Sequence, residues 1–229
     1  MKKAVIFLTV AVLALSIAVY AAKDHKTTEK PVQTNPTINT ILNSGSTRAF
    51  SNRNIEDRTI DLIIKCGIKA PSAMNKQPWH FSVVKDRRLL DKINAEAPAG
   101  PPGGAGPKKP DAPQPQSPPG NAPKRHMFSN APVVIIISAT VDSQFSTFDA
   151  ALACQNMSIA AQSLGLGSRI VASPTIVLNG SKEKEYRKIL QIPDGKKVVA
   201  ALLLGYPDKS PDGVSGASTR NSNAVSYIR

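Results

Sequence analysis

The chain has 229 residues, enough for one ordinary domain with something added, since single domains mostly run to about 100–200 residues. Its 41% hydrophobic content is normal for a globular protein, so a buried core is expected and a wholly disordered chain is excluded. A formal net charge of +13 favours anionic partners, but the Lys and Arg residues are scattered and lack interleaved aromatics, so the excess reads as solvated surface and nucleic acid is not an expected partner.

The N-terminus reads as an export signal. Lys2 and Lys3 supply a positive start, Ala4 to Ala22 carries no charge, and Val19-Tyr20-Ala21 fits a small-residue cleavage site. The uncharged run is also close to the roughly 20 residues that span a bilayer, so an uncleaved membrane anchor is the alternative. Either way an exported, periplasmic or extracytoplasmic location is expected. Residues 23–37 are polar and read as a linker, and a domain is expected over 38–229.

A short helix begins at Ile38, followed by the polar turn Asn43-Ser44-Gly45-Ser46-Thr47-Arg48-Ala49-Phe50. From Asp57 to Lys69 the apolar positions Ile60, Ile63, Ile64 and Ile68 recur at helical spacing. Next comes the loop Ala70-Pro71-Ser72-Ala73-Met74-Asn75-Lys76-Gln77-Pro78-Trp79, in which two prolines predict a fixed shape. Its small and amide-bearing side chains suit a neutral polar ligand, although such a loop standing alone is an ordinary structural elbow. His80 to Lys85 is a strand and Arg87 to Ala95 an amphipathic helix.

From Ala97 to Pro123 the chain holds ten prolines and five glycines with almost no large apolar side chain. Such a segment cannot bury enough surface to offset its ordering entropy and is expected to be disordered or extended. Pro132 to Ala139 is apolar throughout, as a strand buried on both faces should be. Asp149 to Leu164 is the strongest helix, with Asp149 read as a cap at its start and Gly165-Leu166-Gly167 closing it. Ser168 to Ala172 is a short strand, Glu183 to Leu190 a helix and Val198 to Leu204 a buried strand. Strand character returns at Ala224 to Ile228 after a Gly/Ser-rich arm. Cys66 and Cys154 lie far apart with no metal-ligand spacing and no partner base, so they read as buried free thiols and no metal site is expected.

Three blocks in this order resemble the nitroreductase family of flavoproteins, over roughly Ile38 to Tyr227. Ser46-Thr47-Arg48-Ala49-Phe50 resembles the family's Ser-x-Arg-x-aromatic turn. The loop from Ala70 to Trp79 resembles its Ala-Pro-Ser-x-x-Asn-x-Gln-Pro-Trp signature. Gln155-Asn156-Met157 through Gly165-Leu166-Gly167-Ser168 resembles its Gln-Asn helix ending in Gly-Leu-Gly.

The resemblance implies an α+β fold, a central, mostly antiparallel sheet flanked by helices, in an intertwined homodimer with FMN at the subunit interface. The C-terminal arm would add a strand to the partner's sheet. By the same resemblance Ser46 and Arg48 would take the FMN phosphate, with Arg220 joining from the tail. Pro71, Ser72, Ala73 and Asn75 would line the ribityl chain and ring from the partner subunit, while Trp79 would pack in the core. A backbone N–H at Ala172, with Ser173 beside it, would face flavin N5. Where relatives begin the turn with an arginine this chain has Ser44, a lost phosphate partner worth about 1.5–3 kcal/mol on the scale of a charged hydrogen bond.

The implied activity is an FMN-dependent oxidoreductase. It would take a hydride from NAD(P)H or another electron donor and reduce a small-molecule acceptor such as a nitroaromatic or quinone. The flavin carries the redox chemistry, so no catalytic side chain is required. Export sits awkwardly with cytoplasmic pools of NAD(P)H and FMN. The alternative function is therefore an exported, non-catalytic flavin-binding or scavenging protein on the same scaffold.

Overall fold

The computed structural model describes residues 34–98, 126–208, 221 and 223–228. The export segment, most of the linker, nearly all of the Pro/Gly-rich stretch and Arg220 lie outside the described residues. The first described helix opens at Pro36, where the fixed φ of proline suits the first helical position.

The elements are α1 (Pro36–Leu42), α2 (Asp57–Ile68), β1 (Trp79–Val84), α3 (Arg87–Ala95), β2 (Val133–Thr140), α4 (Gln144–Ser163), β3 (Gly167–Val171), α5 (Pro174–Leu178), α6 (Glu183–Ile189) and β4 (Lys196–Gly205). The strands form one sheet in the order β1-β2-β4-β3, with every neighbouring pair antiparallel. This is the expected α+β architecture.

The all-apolar β2 explains the layering. Successive strand side chains point to opposite faces, so one run feeds two cores. Val133, Ile135, Ile137 and Ala139 pack with Leu202 and Leu204 against Ile60 and Ile63 of α2 and Ala153 and Met157 of α4. Val134 and Ile136 pack with Ala201 and Leu203 on the opposite side, against Leu90 and Ile93 of α3, Leu178 of α5 and Tyr186 of α6. Ile135, Ile136 and Ile137 are fully buried, each worth about 1.5–3 kcal/mol.

The helix ends follow their caps. Asp86 accepts the N–H groups of Arg88 (2.8 Å) and Leu89 (3.4 Å) to start α3. Ser143 accepts the Phe145 N–H at 3.2 Å, so α4 starts at Gln144 and not at Asp149. Asp149 is consequently an interior residue of the helix and caps nothing. The small residues of α2 and α4 allow the two to approach closely: a Cβ on Gly67 would lie 2.6 Å from Met157 Cγ.

Cys66 and Cys154 are both unpaired thiols, but only Cys154 is buried and Cys66 is half-buried; burial pushes the Cys154 thiol up to about 12, which leaves it inert as a nucleophile. Trp79 packs in the core and stacks on Phe81 with ring centroids 6.4 Å apart. The strand expected at Ala224 to Ile228 is not formed within this chain, and Val225, Tyr227 and Ile228 are exposed.

Candidate functional site

The turn after α1 is stitched to the far end of α4 and to β3. The Gly45 N–H donates to Gln162 Oε1 at 3.2 Å, and the Thr47 N–H donates to the Ser168 carbonyl at 2.9 Å. Further along, Ser51 N–H binds the Tyr206 carbonyl at 2.9 Å, and the Asp208 N–H binds that of Ala49 at 3.0 Å. Thr47 and Phe50 are buried, whereas Ser46 and Arg48 face solvent. Fixing the backbone inward thus presents one hydroxyl and one guanidinium outward, a donor set that suits a phosphate. The Ser44 hydroxyl proton is donated to the Ile41 carbonyl at 2.8 Å.

The loop from Ala70 to Trp79 is held differently. Both ends are buried, and between them Ala73–Asn75 forms a single 3-10 turn. Met74 (φ 52°), Asn75 (φ 54°) and Gln77 (φ 46°) all lie in the left-handed region that non-glycine residues avoid. Such strain, of order 1 kcal/mol per residue, persists only where the surroundings dictate it.

Here they do. Both carboxylate oxygens of Asp149, 3% exposed on the second turn of α4, accept the Ala73 N–H, at 3.1 and 3.2 Å. Ser72 Oγ accepts the Gln77 N–H at 3.0 Å, and Gln77 Nε2 donates to Asn75 Oδ1 at 3.1 Å. The Pro78 carbonyl takes the Thr140 N–H at 3.2 Å and the Lys196 ammonium. Burial holds Lys196 below the usual lysine range, partly offset by the Asp142 carboxylate. Among the described residues no acceptor takes the Ser72 hydroxyl proton or the Asn75 amide N–H groups, while exposed Pro71 and half-buried Ala73 offer only surface.

The third group sits where β3 gives way to α5. Ala172 and Ser173 are exposed, and among the described residues no backbone carbonyl takes either N–H. Pro174 at the start of α5 ends the strand there.

The turn is anchored at Gln162 and the loop at Asp149, and at roughly 1.5 Å per helical residue these anchors lie about 20 Å apart along α4.

Residues 43–206 match the family model described as the nitroreductase family. The chain belongs to the nitroreductase family. A protein of Archaeoglobus fulgidus named as an NADH dehydrogenase/NAD(P)H nitroreductase is 30% identical over 179 residues, which cover 75% of this chain and 86% of that one. A solved nitroreductase with bound FMN from Desulfitobacterium hafniense superposes with a TM-score of 0.72 at 25% identity, covering 86% of this chain and 100% of the other. A second, also with bound FMN, from Bacteroides fragilis has a TM-score of 0.71 and the same coverage; at 23% identity it speaks to the fold alone. The four-stranded sheet with helices on both faces is therefore the nitroreductase fold.

Two residues that brace the nitroreductase turn and loop escape the motifs. Asp149 shares the buried i, i+4 stripe with Ala153 and Met157, and a carboxylate on an otherwise apolar stripe is itself a signal. Starting the helix at Asp149 hides that signal. Gln162 has no such mark, since a glutamine near a helix end is usually solvated.

Proposed function

We propose that this protein is an FMN-dependent oxidoreductase acting as a homodimer, with the phosphate held by the turn of one subunit and the ring faced by the loop of the other. The observation that carries this reading is the separation of turn and loop along α4. Both present unfilled donors, yet about 20 Å divides their anchors, and a second copy of the chain brings the two halves together. The exposed apolar side chains Phe145 and Phe148 on α4 give that copy a surface to cover.

The donor set fits the cofactor. Arg48 and Ser46 supply charge and a hydroxyl for a phosphate, Arg220 is assigned to the same group, and Ser72 and Asn75 offer polar contacts on a rigid loop. An N–H at Ala172 or Ser173, taken by no backbone carbonyl among the described residues, supports a hydrogen bond to a ring nitrogen. FMN, when bound, supplies reversible hydride chemistry between a donor such as NAD(P)H and an acceptor such as a nitroaromatic or quinone. The residues of this chain bind and orient; no acid, base or nucleophile is assigned.

Lys2, Lys3 and the uncharged run from Ala4 to Ala22 support export, with the run either cleaved or kept as an anchor. N-terminal sequencing of the mature protein separates the two outcomes. The terminal segment from Ala224 to Ile228 is assigned to the partner's sheet, where edge strand β1 borders a groove of about 400 Å³ lined by Val83, Leu89, Ile189 and Leu190.

Titration with FMN followed by anaerobic mixing with NADPH or NADH tests the function. Saturable binding and bleaching of the flavin's visible absorbance are expected. Failure to bind FMN overturns the reading, and binding without bleaching by any supplied donor favours the non-catalytic flavin carrier. A monomer by light scattering in the presence of FMN removes the shared site.

A further inference from the structure

The turn at Gly45–Arg48 is shaped by a small polar core beneath it. Gln162 reaches from the last turn of α4 with its amide divided among three partners. Its Oε1 accepts the Gly45 N–H at 3.2 Å, and its Nε2 donates to Ser168 Oγ at 2.9 Å and to Ser158 Oγ at 3.4 Å. The Ser158 and Ser168 hydroxyls lie 2.8 Å apart, and both residues are buried. Rotating the amide by half a turn would set its NH2 against the Gly45 N–H, two donors face to face, so the network fixes its orientation.

Ser168 completes the device from β3, since its carbonyl takes the Thr47 N–H at 2.9 Å. The backbone is therefore gripped at Gly45 and at Thr47, the residues either side of Ser46 and immediately before Arg48. With alternate positions drawn inward, Ser46 and Arg48 are directed outward together. There is no slack beneath: a Cβ on Gly167 would lie 2.4 Å from Thr47 Oγ1.

We propose that Gln162 is a positioning residue for the phosphate end of the cofactor site, acting through the Gly45 N–H to set where Ser46 and Arg48 present their donors. This inference rests on the reading of the turn as the phosphate site. It makes a distinction that general stability does not. Riboflavin carries the same ring and ribityl chain as FMN but no phosphate, so a residue acting only on the phosphate turn changes the affinity for one and not the other.

The test is the dissociation constant for FMN and for riboflavin, measured by flavin fluorescence on the full chain and on Gln162→Leu. The expected result is an FMN affinity about tenfold weaker, the scale of one lost hydrogen bond, with riboflavin affinity within about twofold of the parent. Equal weakening of both flavins, or no change in either, overturns the proposal. If Gln162→Leu does not fold, Gln162→Glu retains acceptors for Gly45 N–H and Ser168 Oγ–H while setting a negative charge under the turn. FMN alone should then weaken, with the loss reduced at high salt; undiminished FMN binding by Gln162→Glu overturns the proposal equally. A parent protein that shows no preference for FMN over riboflavin instead refutes the phosphate reading itself, so the two failures are told apart.

Discussion

The turn at Gly45–Phe50 and the loop at Ala70–Trp79 lie on the same helix and are made rigid by opposite means. In the turn, backbone N–H groups are tied into α4 and β3 by neutral hydrogen bonds, and no positive φ occurs. In the loop, three residues are held in left-handed conformations, and a buried carboxylate grips the Ala73 N–H beside them. A docked edge suits the role proposed for the turn, which is to aim two side chains at a charged group. A strained and clamped loop suits a surface whose own backbone and short side chains are the contact. The two motifs should therefore fail in different ways. Defects in the loop should reach any flavin, and defects in the turn only a flavin that bears a phosphate.

The most damaging change to the loop is Asp149→Ala. It leaves the Ala73 N–H without its acceptor beside three strained residues, at a cost of about 1–3 kcal/mol in stability. FMN and riboflavin should weaken together by tenfold or more, with a thermal midpoint several degrees lower. Asp149→Asn keeps one carbonyl oxygen for Ala73 and should recover most of both losses. A weakening of FMN alone, or no recovery with Asn, would show that Asp149 does not act by clamping the loop.

On the turn, Arg48→Ala removes an exposed guanidinium, so thermal stability should hold. FMN binding should fall by about 1.5–3 kcal/mol, roughly ten- to a hundredfold, with riboflavin unaffected and the salt dependence of FMN binding reduced. Isothermal titration at two salt concentrations checks all three, and a parallel loss for riboflavin would move Arg48 away from the phosphate. The reverse change, Ser44→Arg, should tighten FMN by up to about tenfold, since it gives up only an exposed hydrogen bond to Ile41. Equilibrium titration that finds FMN binding unchanged would show that position 44 does not face the phosphate.

Legibility in the sequence follows the same division. The sheet was legible because β2 reads apolar at every position, and α2 because its isoleucines recur at helical spacing. The outward residues were legible too, since Ser46, Arg48, Ser72 and Asn75 fall in motifs of fixed spacing. What braces them was not. Asp149 sits 76 positions from Ala73 and Gln162 sits 117 from Gly45, and no local periodicity reports a contact at such range. The start of α4 is misread because an acid before an apolar run resembles a cap, while the actual cap, Ser143, precedes the exposed pair Phe145 and Phe148. Helix α5 escapes detection because five residues are too few to show a period.

A subtler effect separates the two regions by pH. The loop leads directly into His80, whose imidazole is held below its ordinary value of 6.5 by burial first and by the nearby Lys196 charge second. The folded state therefore resists protonation that the unfolded chain accepts. Above 6.5 both states carry neutral His80 and stability is indifferent to it. As pH falls from 6.5 towards the lower folded value, the unfolded chain binds the proton first, and stability declines with pH. His80→Gln should flatten that part of the stability profile, measured by urea denaturation at pH steps downward from 6.5. The hydrogen bonds that seat the turn join amide, hydroxyl and backbone groups that do not titrate in this range, so Gln162→Leu should lower stability by the same amount at every pH and leave the slope intact. A slope that survives His80→Gln, or one that Gln162→Leu removes, would show that the two regions share a titrating support.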